Sequence, residues 1–271
     1  MDDLKVAAVC MNAVPGEPNR NLDRMESFVL EASAKDVDII CFPELSVTGY
    51  ILKHPGKIYD GADWASALER LIHMSRYARL VIIAGLIEIS EKSKPYITQV
   101  VTSPDGLIGL HRKTHLAPVE RDVYGAGQEL KVFSYGETTF GVQLCYEAHF
   151  PELSTIMALM NAHVLFFPHA SPRGNPREKL ESWLRHLKAR AFDNSVFLVA
   201  TNQTGKTGAG LLFPGVAVVL GPDGKILAQH TGMEENILFA EIKAQTLDDI
   251  RQHKMKYFIP QRRPELYKRF L

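Results

Sequence analysis

The sequence predicts an α/β fold built on mixed sheets. Short apolar runs of strand length alternate with longer amphipathic stretches, and the second half of the chain repeats the alternation of the first. Two clusters, Pro104-Asp105-Gly106 and Gly221-Pro222-Asp223-Gly224, are strong hairpin signals, so some neighbouring strands run antiparallel. Together these features point to helices crossing between parallel strands, with hairpins at the sheet margins.

In order, residues 4–11 form a strand, 22–34 a helix and 37–42 a second strand. Residues 64–79 are helical by spacing, with Leu68, Leu71, Ile72 and Ser75 on one face. A third strand covers 80–87, and strands at 97–103 and 107–111 flank the first hairpin turn. The second half gives a strand at 140–144 and a helix at 152–161, begun by Pro151 at a favourable first-turn position. A strand at 164–167 and a long helix at 177–194 follow, then strands at 196–201, 216–220, 226–229 and 237–242. No repeat or linker divides the chain, so one domain covers 1–271. The final stretch, 251–271, is basic and aromatic (Tyr257, Phe258, Tyr267, Phe270), and its rings are costly to leave in water. A subunit interface is the expected place for it.

Composition removes several function classes. Thirty-one basic residues balance 31 acidic ones, leaving none of the positive excess that nucleic-acid binding requires. The chain shows neither a signal peptide nor an apolar run long enough for a membrane span, so no membrane partner is expected. Three cysteines without CxxC spacing argue against disulfides and structural zinc, and the expected location is a reducing cytoplasm. Cys10 and Cys41 lie inside apolar runs and read as small core residues.

Cys145 differs from them. It ends the run Phe140-Gly141-Val142-Gln143-Leu144 and precedes Tyr146-Glu147-Ala148-His149-Phe150-Pro151-Glu152, which places a thiol at a strand's last residue on a turn into a helix. Glu44 ends Ile39-Ile40-Cys41-Phe42-Pro43 in the same way, and Lys113 ends Leu107-Ile108-Gly109-Leu110-His111-Arg112. A carboxylate, an ammonium and a thiol at three strand ends are the components of a nucleophilic hydrolase. A free thiol titrates near ~8.5, so it needs help to attack. A lysine and a helix N-terminus favour the thiolate, whereas a carboxylate can take the proton during attack.

Other constellations are weaker. His111 and His115 are four apart, but Arg112-Lys113-Thr114 lies between them, with no glutamate where a zinc protease carries its base. His163 and His169 straddle a strand, so no metal is expected. The segment Gly205-Lys206-Thr207-Gly208-Ala209-Gly210 lacks Walker spacing and reads as a turn between strands. A catalytically silent scaffold is the other alternative, and it would be expected to lack one of the chargeable residues Glu44, Lys113 and Cys145.

In combination the segments resemble the nitrilase superfamily of carbon–nitrogen hydrolases over nearly the whole chain. The resemblance rests on Phe42-Pro43-Glu44-Leu45-Ser46-Val47-Thr48-Gly49-Tyr50, on Arg112-Lys113-Thr114-His115-Leu116 with Glu120 and Tyr124-Gly125-Ala126-Gly127, and on Gly141-Val142-Gln143-Leu144-Cys145-Tyr146-Glu147 with Phe150-Pro151-Glu152. Trp183, Arg190-Ala191, Asn194, Asn202, Gly205 and Phe213-Pro214-Gly215 extend it. It implies a four-layer α-β-β-α sandwich of two mixed sheets, a Glu44–Lys113–Cys145 triad with Glu120 as second glutamate, and a homodimer or higher homo-oligomer. It also implies cleavage of small linear amides or N-carbamoyl compounds through a thioester on Cys145, with release of ammonia and no cofactor; small nitriles are the alternative substrate. Glu120 orients either Lys113 or the substrate nitrogen. The backbone N–H of Tyr146 would stabilise the oxyanion, and Tyr50, Tyr124, His149, Phe150, Arg173 and Asn202 would line the pocket. His149 and Glu147 stand where the family pattern often has Arg and Asp.

Overall fold

The computed structural model describes residues 1–59, 61–90, 93–207 and 210–270. The first half begins with β1 (Leu4–Cys10), α1 (Pro18–Ser33), β2 (Ile39–Cys41), α2 (Gly61–Ala78) and β3 (Val81–Glu88). β1, β2 and β3 pair in parallel, which requires crossovers, and α1 and α2 supply them. β4 (Tyr96–Ser103) returns antiparallel to β3, and β5 (Gly106–Arg112) pairs antiparallel with β4 across the predicted turn.

The second half has the same plan. β6 (Val132–Tyr135) pairs antiparallel with β7 (Thr138–Val142), and α3 (Pro151–Leu159) leads to β8 (Val164–His169). α4 (Pro176–Asn194) then leads to β9 (Phe197–Asn202), so that β7, β8 and β9 run parallel. A short hairpin of β10 (Gly205–Lys206) and β11 (Leu212–Phe213) precedes β12 (Gly215–Leu220), which lies antiparallel to β9 and to β13 (Ile226–Gly232). β14 (Asn236–Ile242) crosses back to pair with β1, and α5 (Ala244–Arg251) follows.

The result is two six-stranded sheets, ordered β14-β1-β2-β3-β4-β5 and β13-β12-β9-β8-β7-β6. β1 packs against β9 and β12, which sets the sheets face to face. The strands of the second sheet show why their sequences read as continuous apolar runs. Val164, Phe166, Phe197, Val199, Ala217 and Val219 point into the space between the sheets. Their neighbours Leu165, Phe167, Leu198, Ala200, Val216 and Val218 pack outward against Leu180, Trp183 and Leu187 of α4. Burial on both faces removes the polar alternation of a one-sided sheet. α1 and α2 cover the first sheet through Leu22, Met25, Phe28, Val29, Leu71 and Met74, completing the four-layer sandwich.

Three features depart from the sequence reading. β6 and α5 had no predicted counterpart: β6 is only four residues long, and α5 lies partly within the stretch read as a terminal tail. α1 begins at Pro18 rather than Leu22 because proline serves as its first-turn residue. β7 ends at Val142, so Cys145 is not a strand residue but opens a one-turn 3-10 helix, Cys145–His149, that leads into α3. Beyond α5 the chain is partly anchored. Ile259 is buried with Tyr257 packed nearby, while Met255 and Phe270 are 79% and 74% exposed. Leu271 and residues 208–209 of the glycine-rich turn lie outside the described residues.

Candidate active site

Four strand ends meet at one edge of the sandwich. Glu44 follows β2, Lys113 follows β5, Cys145 follows β7 and Ala170 follows β8. The carboxyl ends of parallel strands are where open α/β sheets leave room for ligands.

The Glu44 backbone is fixed from several sides. Phe42 N–H donates to Ile83 O, Gln99 Nε2 to Phe42 O at 3.2 Å, and Gln203 Nε2 to Glu44 O at 2.8 Å. Leu45, the next residue, has φ of +56°. Gly85 of β3 permits this close approach: a Cβ there would lie 2.3 Å from Leu45 N and 3.0 Å from Glu44 C.

From this anchor the side chains form a continuous buried chain. Glu44 Oε1 accepts from Lys113 Nζ at 2.7 Å, and Glu44 Oε2 accepts from Ala170 N–H at 2.8 Å. Lys113 Nζ also donates to Glu120 Oε1 at 2.9 Å, and both residues are buried. Glu120 accepts further bonds from Tyr50 OH at 3.0 Å and Ala117 N–H at 2.8 Å. The ammonium is therefore clamped between two carboxylates that are themselves held in place.

Cys145 has φ of +43°, a left-handed conformation that is costly for a residue with a Cβ, while Leu144 before it is extended. This sharp bend brings the thiol to a cavity of about 370 Å³, whose wall also includes Tyr50, Glu120, Tyr146, His149, Arg173 and Lys179. The bend is secured from below by Glu147, fully buried, which accepts from Leu144 N–H and from His111 Nε2 at 2.9 Å. Glu147 also accepts from the N–H of Thr114 at 2.7 Å and from its hydroxyl. One carboxylate thus ties the thiol turn to the lysine segment.

Burial raises the Glu44 pKa to about 6, with Glu120 adding to the rise and Lys113 opposing it. Burial also disfavours charge on Lys113, but Glu44, Cys145 and Glu120 outweigh it and keep the ammonium protonated. The Cys145 thiol is pushed up by burial and by Glu44, more than Lys113 draws it down. At neutral pH the resting site therefore holds a thiol, not the thiolate that a lysine and a helix terminus would favour. Glu147 goes the other way: burial resists its ionisation, but His111, Leu144 N–H and Thr114 hold its pKa near about 2.

Of the residues expected at the pocket, Tyr50, Tyr146, His149 and Arg173 line it. Three others do not. Tyr124 is buried and donates its hydroxyl to Ile51 O. Phe150 packs on the His115 ring at a centroid distance of 4.0 Å. Asn202 accepts from Ser171 N–H and donates to Pro214 O and Ser171 O, which fixes the loop after β8 rather than meeting a ligand. Conversely, sequence reasoning gave no role to Lys179, His169 or His186, all on the cavity wall. His169 is the last residue of β8, and Lys179 and His186 lie along α4; nothing in their sequence context set them apart from ordinary strand and helix residues. Glu147 was visible only as a departure from the family pattern. Among the described residues no cluster of three or more His, Cys, Asp or Glu side chains is arranged to hold a metal, and no helix is long and apolar enough to cross a membrane.

Comparison with known proteins matches this geometry. A 2-oxoglutaramate amidase of Bacillus subtilis is 32% identical over 88% of this chain and 90% of the relative. A probable nitrilase of Schizosaccharomyces pombe is 30% identical over 99% of both. An amidase from Nesterenkonia sp. shares the fold, with a TM-score of 0.86 at 24% identity, covering 99% of this chain and 96% of that one. Residues 5–252 match the profile of the carbon-nitrogen hydrolase family. With sequence, fold and strand-end chemistry in agreement, the chain belongs to the carbon–nitrogen hydrolase family and is an enzyme of that class.

Proposed function

We propose that the protein hydrolyses small linear amides or N-carbamoyl compounds by covalent catalysis at Cys145. The observation that carries this reading is the buried Glu44–Lys113–Glu120 chain reaching a cavity that also contains the thiol. Glu44 accepts the thiol proton as sulfur attacks the carbonyl carbon. The oxyanion that forms is met by the Lys113 ammonium and the Tyr146 backbone N–H, which lies in the first turn of the 3-10 helix, where N–H groups lack helical partners. One such preorganised donor typically lowers a barrier by about 3–4 kcal/mol. Collapse of the adduct expels ammonia, which takes its proton from Glu44, and leaves a thioester. Water then attacks the thioester and gives a proton to Glu44, and the returning thiol recovers it as the acid leaves. Glu120 acts on Lys113, holding the ammonium at a fixed position and orientation.

The relatives support an amide-type substrate, since their names include 2-oxoglutaramate amidase and N-carbamoylputrescine amidase as well as nitrilase. We further propose a single domain working in a reducing cytoplasm as a homo-oligomer, with the exposed side chains after α5, such as Met255 and Phe270, covered by a second copy. Ammonia release from a panel of amides, carbamoyl compounds and nitriles tests the function. Cys145→Ala is expected to abolish turnover of every active substrate while leaving thermal unfolding unchanged, and substantial activity in that variant defeats the assignment.

A further inference from the structure

The cavity wall carries more positive charge than the proposed chemistry uses. Arg173 and Lys179 both line it, yet among the described residues neither forms an ion pair. Lys179 is half-buried, and its Nζ donates only to neutral groups, Ser171 Oγ at 2.9 Å and Pro172 O at 3.1 Å. Glu178 would be the obvious partner for Arg173. Its carboxylate instead accepts from Asn175 N–H at 3.3 Å, in a reciprocal cap with Asn175 Oδ1 at the start of α4. Among the described residues the only acidic one on the cavity wall is Glu120, which is already committed to Lys113, Tyr50 and Ala117. The histidines of the wall add no further positive charge: burial lowers the pKa of His149, His169 and His186, which favours their neutral forms. Two cations, the half-buried Lys179 and the exposed Arg173, therefore line one small cavity whose one carboxylate is already paired. Burial depresses the Lys179 pKa, and the nearby Arg173 adds to the fall.

Building on the amide-hydrolase reading, we infer that Arg173 and Lys179 form an anion subsite, and that the substrate is a short amide or carbamoyl compound whose far end carries a carboxylate. A carboxylate there would meet one planar guanidinium fork and one ammonium, replacing water on both. A cavity of about 370 Å³ suits a chain of a few carbons between the two functional groups. The same wall repels substrates ending in an ammonium.

The test compares kcat/KM on four compounds: glutaramate (the monoamide of a five-carbon dicarboxylic acid), its uncharged methyl ester, N-carbamoyl-β-alanine and N-carbamoylputrescine. An anionic substrate is expected to exceed the ester by about tenfold or more, with the cationic compound poorest. Lys179→Met and Arg173→Met should each lower the anion-to-ester ratio by about tenfold, and Lys179→Arg should restore part of it. Glutaramate and N-carbamoyl-β-alanine distinguish the two sources of carboxylate. A wild-type enzyme that prefers the ester or the cation, or ratios unmoved in both Met variants, overturns the subsite. Calorimetric binding of glutarate to the intact enzyme separates this failure from failure of the function. Binding that Lys179→Met abolishes supports the subsite even where no compound is turned over, and absence of glutarate binding to the wild type overturns it.

Discussion

Replacing Glu147 with glutamine removes one negative charge and one acceptor while keeping the shape of the side chain, and the consequences can be worked out from its contacts. Oε1 accepts from Thr114 N–H and the Thr114 hydroxyl, and Oε2 accepts from Leu144 N–H, with His111 Nε2 reaching both oxygens. A glutamine must place its NH2 at one of these positions, so a donor faces either the Thr114 or the Leu144 N–H. A buried donor left without an acceptor costs about 1–3 kcal/mol, and loss of the charge from the remaining bonds adds to this. The pKa, lowered by these same contacts, gives a figure of the same size. A fall from 4.5 to about 2 corresponds to about 3 kcal/mol of stability. Because the folded value is depressed, that contribution is fully present above the unfolded pKa of 4.5 and is lost as pH falls toward about 2. Glu147→Gln should therefore lower Tm at pH 7 by about 6–12 °C, and the gap from wild type should narrow as the buffer is taken from about pH 5 to about pH 3. Because Leu144 carries Cys145, kcat/KM should also fall by about 10- to 100-fold. Scanning calorimetry over a pH series and ammonia release provide the assays. A variant within about 2 °C of wild type at pH 7 that keeps full turnover would refute the view that this carboxylate holds the thiol turn to the lysine segment.

Two further expectations concern the proposed base and its support. Glu44 must be ionised to accept a proton, so kcat/KM should decline below an apparent pKa of about 6, measured as the acidic limb of a pH–rate profile; a limb near 4 would remove Glu44 from that role. Gly85→Ala pushes a Cβ onto Leu45 N and Glu44 C, and overpacking of this kind costs about 1–3 kcal/mol. The expected result is a lower Tm together with a loss of kcat greater than any change in KM, and unchanged kinetics would show that the Glu44 backbone tolerates displacement.

The sequence carried the fold well where its physics is local and repeated. Doubly buried strands such as β8 and β9 announce themselves as apolar runs, α4 by its length and spacing, and the β4–β5 turn by Pro104-Asp105-Gly106. β6 was invisible because four residues are too few to establish a period, and α5 because only Leu247 and Ile250 are buried. In the site, Glu44, Lys113 and Cys145 were legible as chargeable residues ending apolar runs. The ionisation state of the thiol was not, since it depends on burial and on two carboxylates brought in from distant segments. The surroundings of Asn202 were illegible for a related reason. A polar residue at a strand end can face a ligand or its own neighbouring loop, and only the bonds to Ser171 and Pro214 decide between these. Lys179 gave no signal at all, because a lysine in the first turns of a helix is ordinarily solvated.

Under the proposed mechanism, the charges at the site also explain why a protonated resting thiol does not hinder attack. Glu44, Glu120 and Lys113 together carry a net charge of −1 within a buried volume. Ionising Cys145 to solvent would make that −2 beside a single ammonium, which burial and Glu44 both oppose. Passing the proton from sulfur to Glu44 leaves the total at −1 and only moves the charge. The Glu44 pKa of about 6 places the base closer to the thiol than an exposed carboxylate would be, so the transfer is less uphill, and yet leaves it mostly ionised at pH 7. As sulfur bonds to carbon, the moved charge passes to the substrate oxygen, where Lys113 is already held at 2.7 Å from Glu44 and 2.9 Å from Glu120. The lysine need not reorganise when the charge arrives, because the two carboxylates have fixed it in advance. A neutral residue in place of Glu120 would leave the total charge less negative but the ammonium less restrained. On the proposed mechanism the second glutamate contributes through position and through charge, so its loss should appear as a fall in kcat together with an acidic limb moved to lower pH, because Glu120 helps raise the Glu44 pKa.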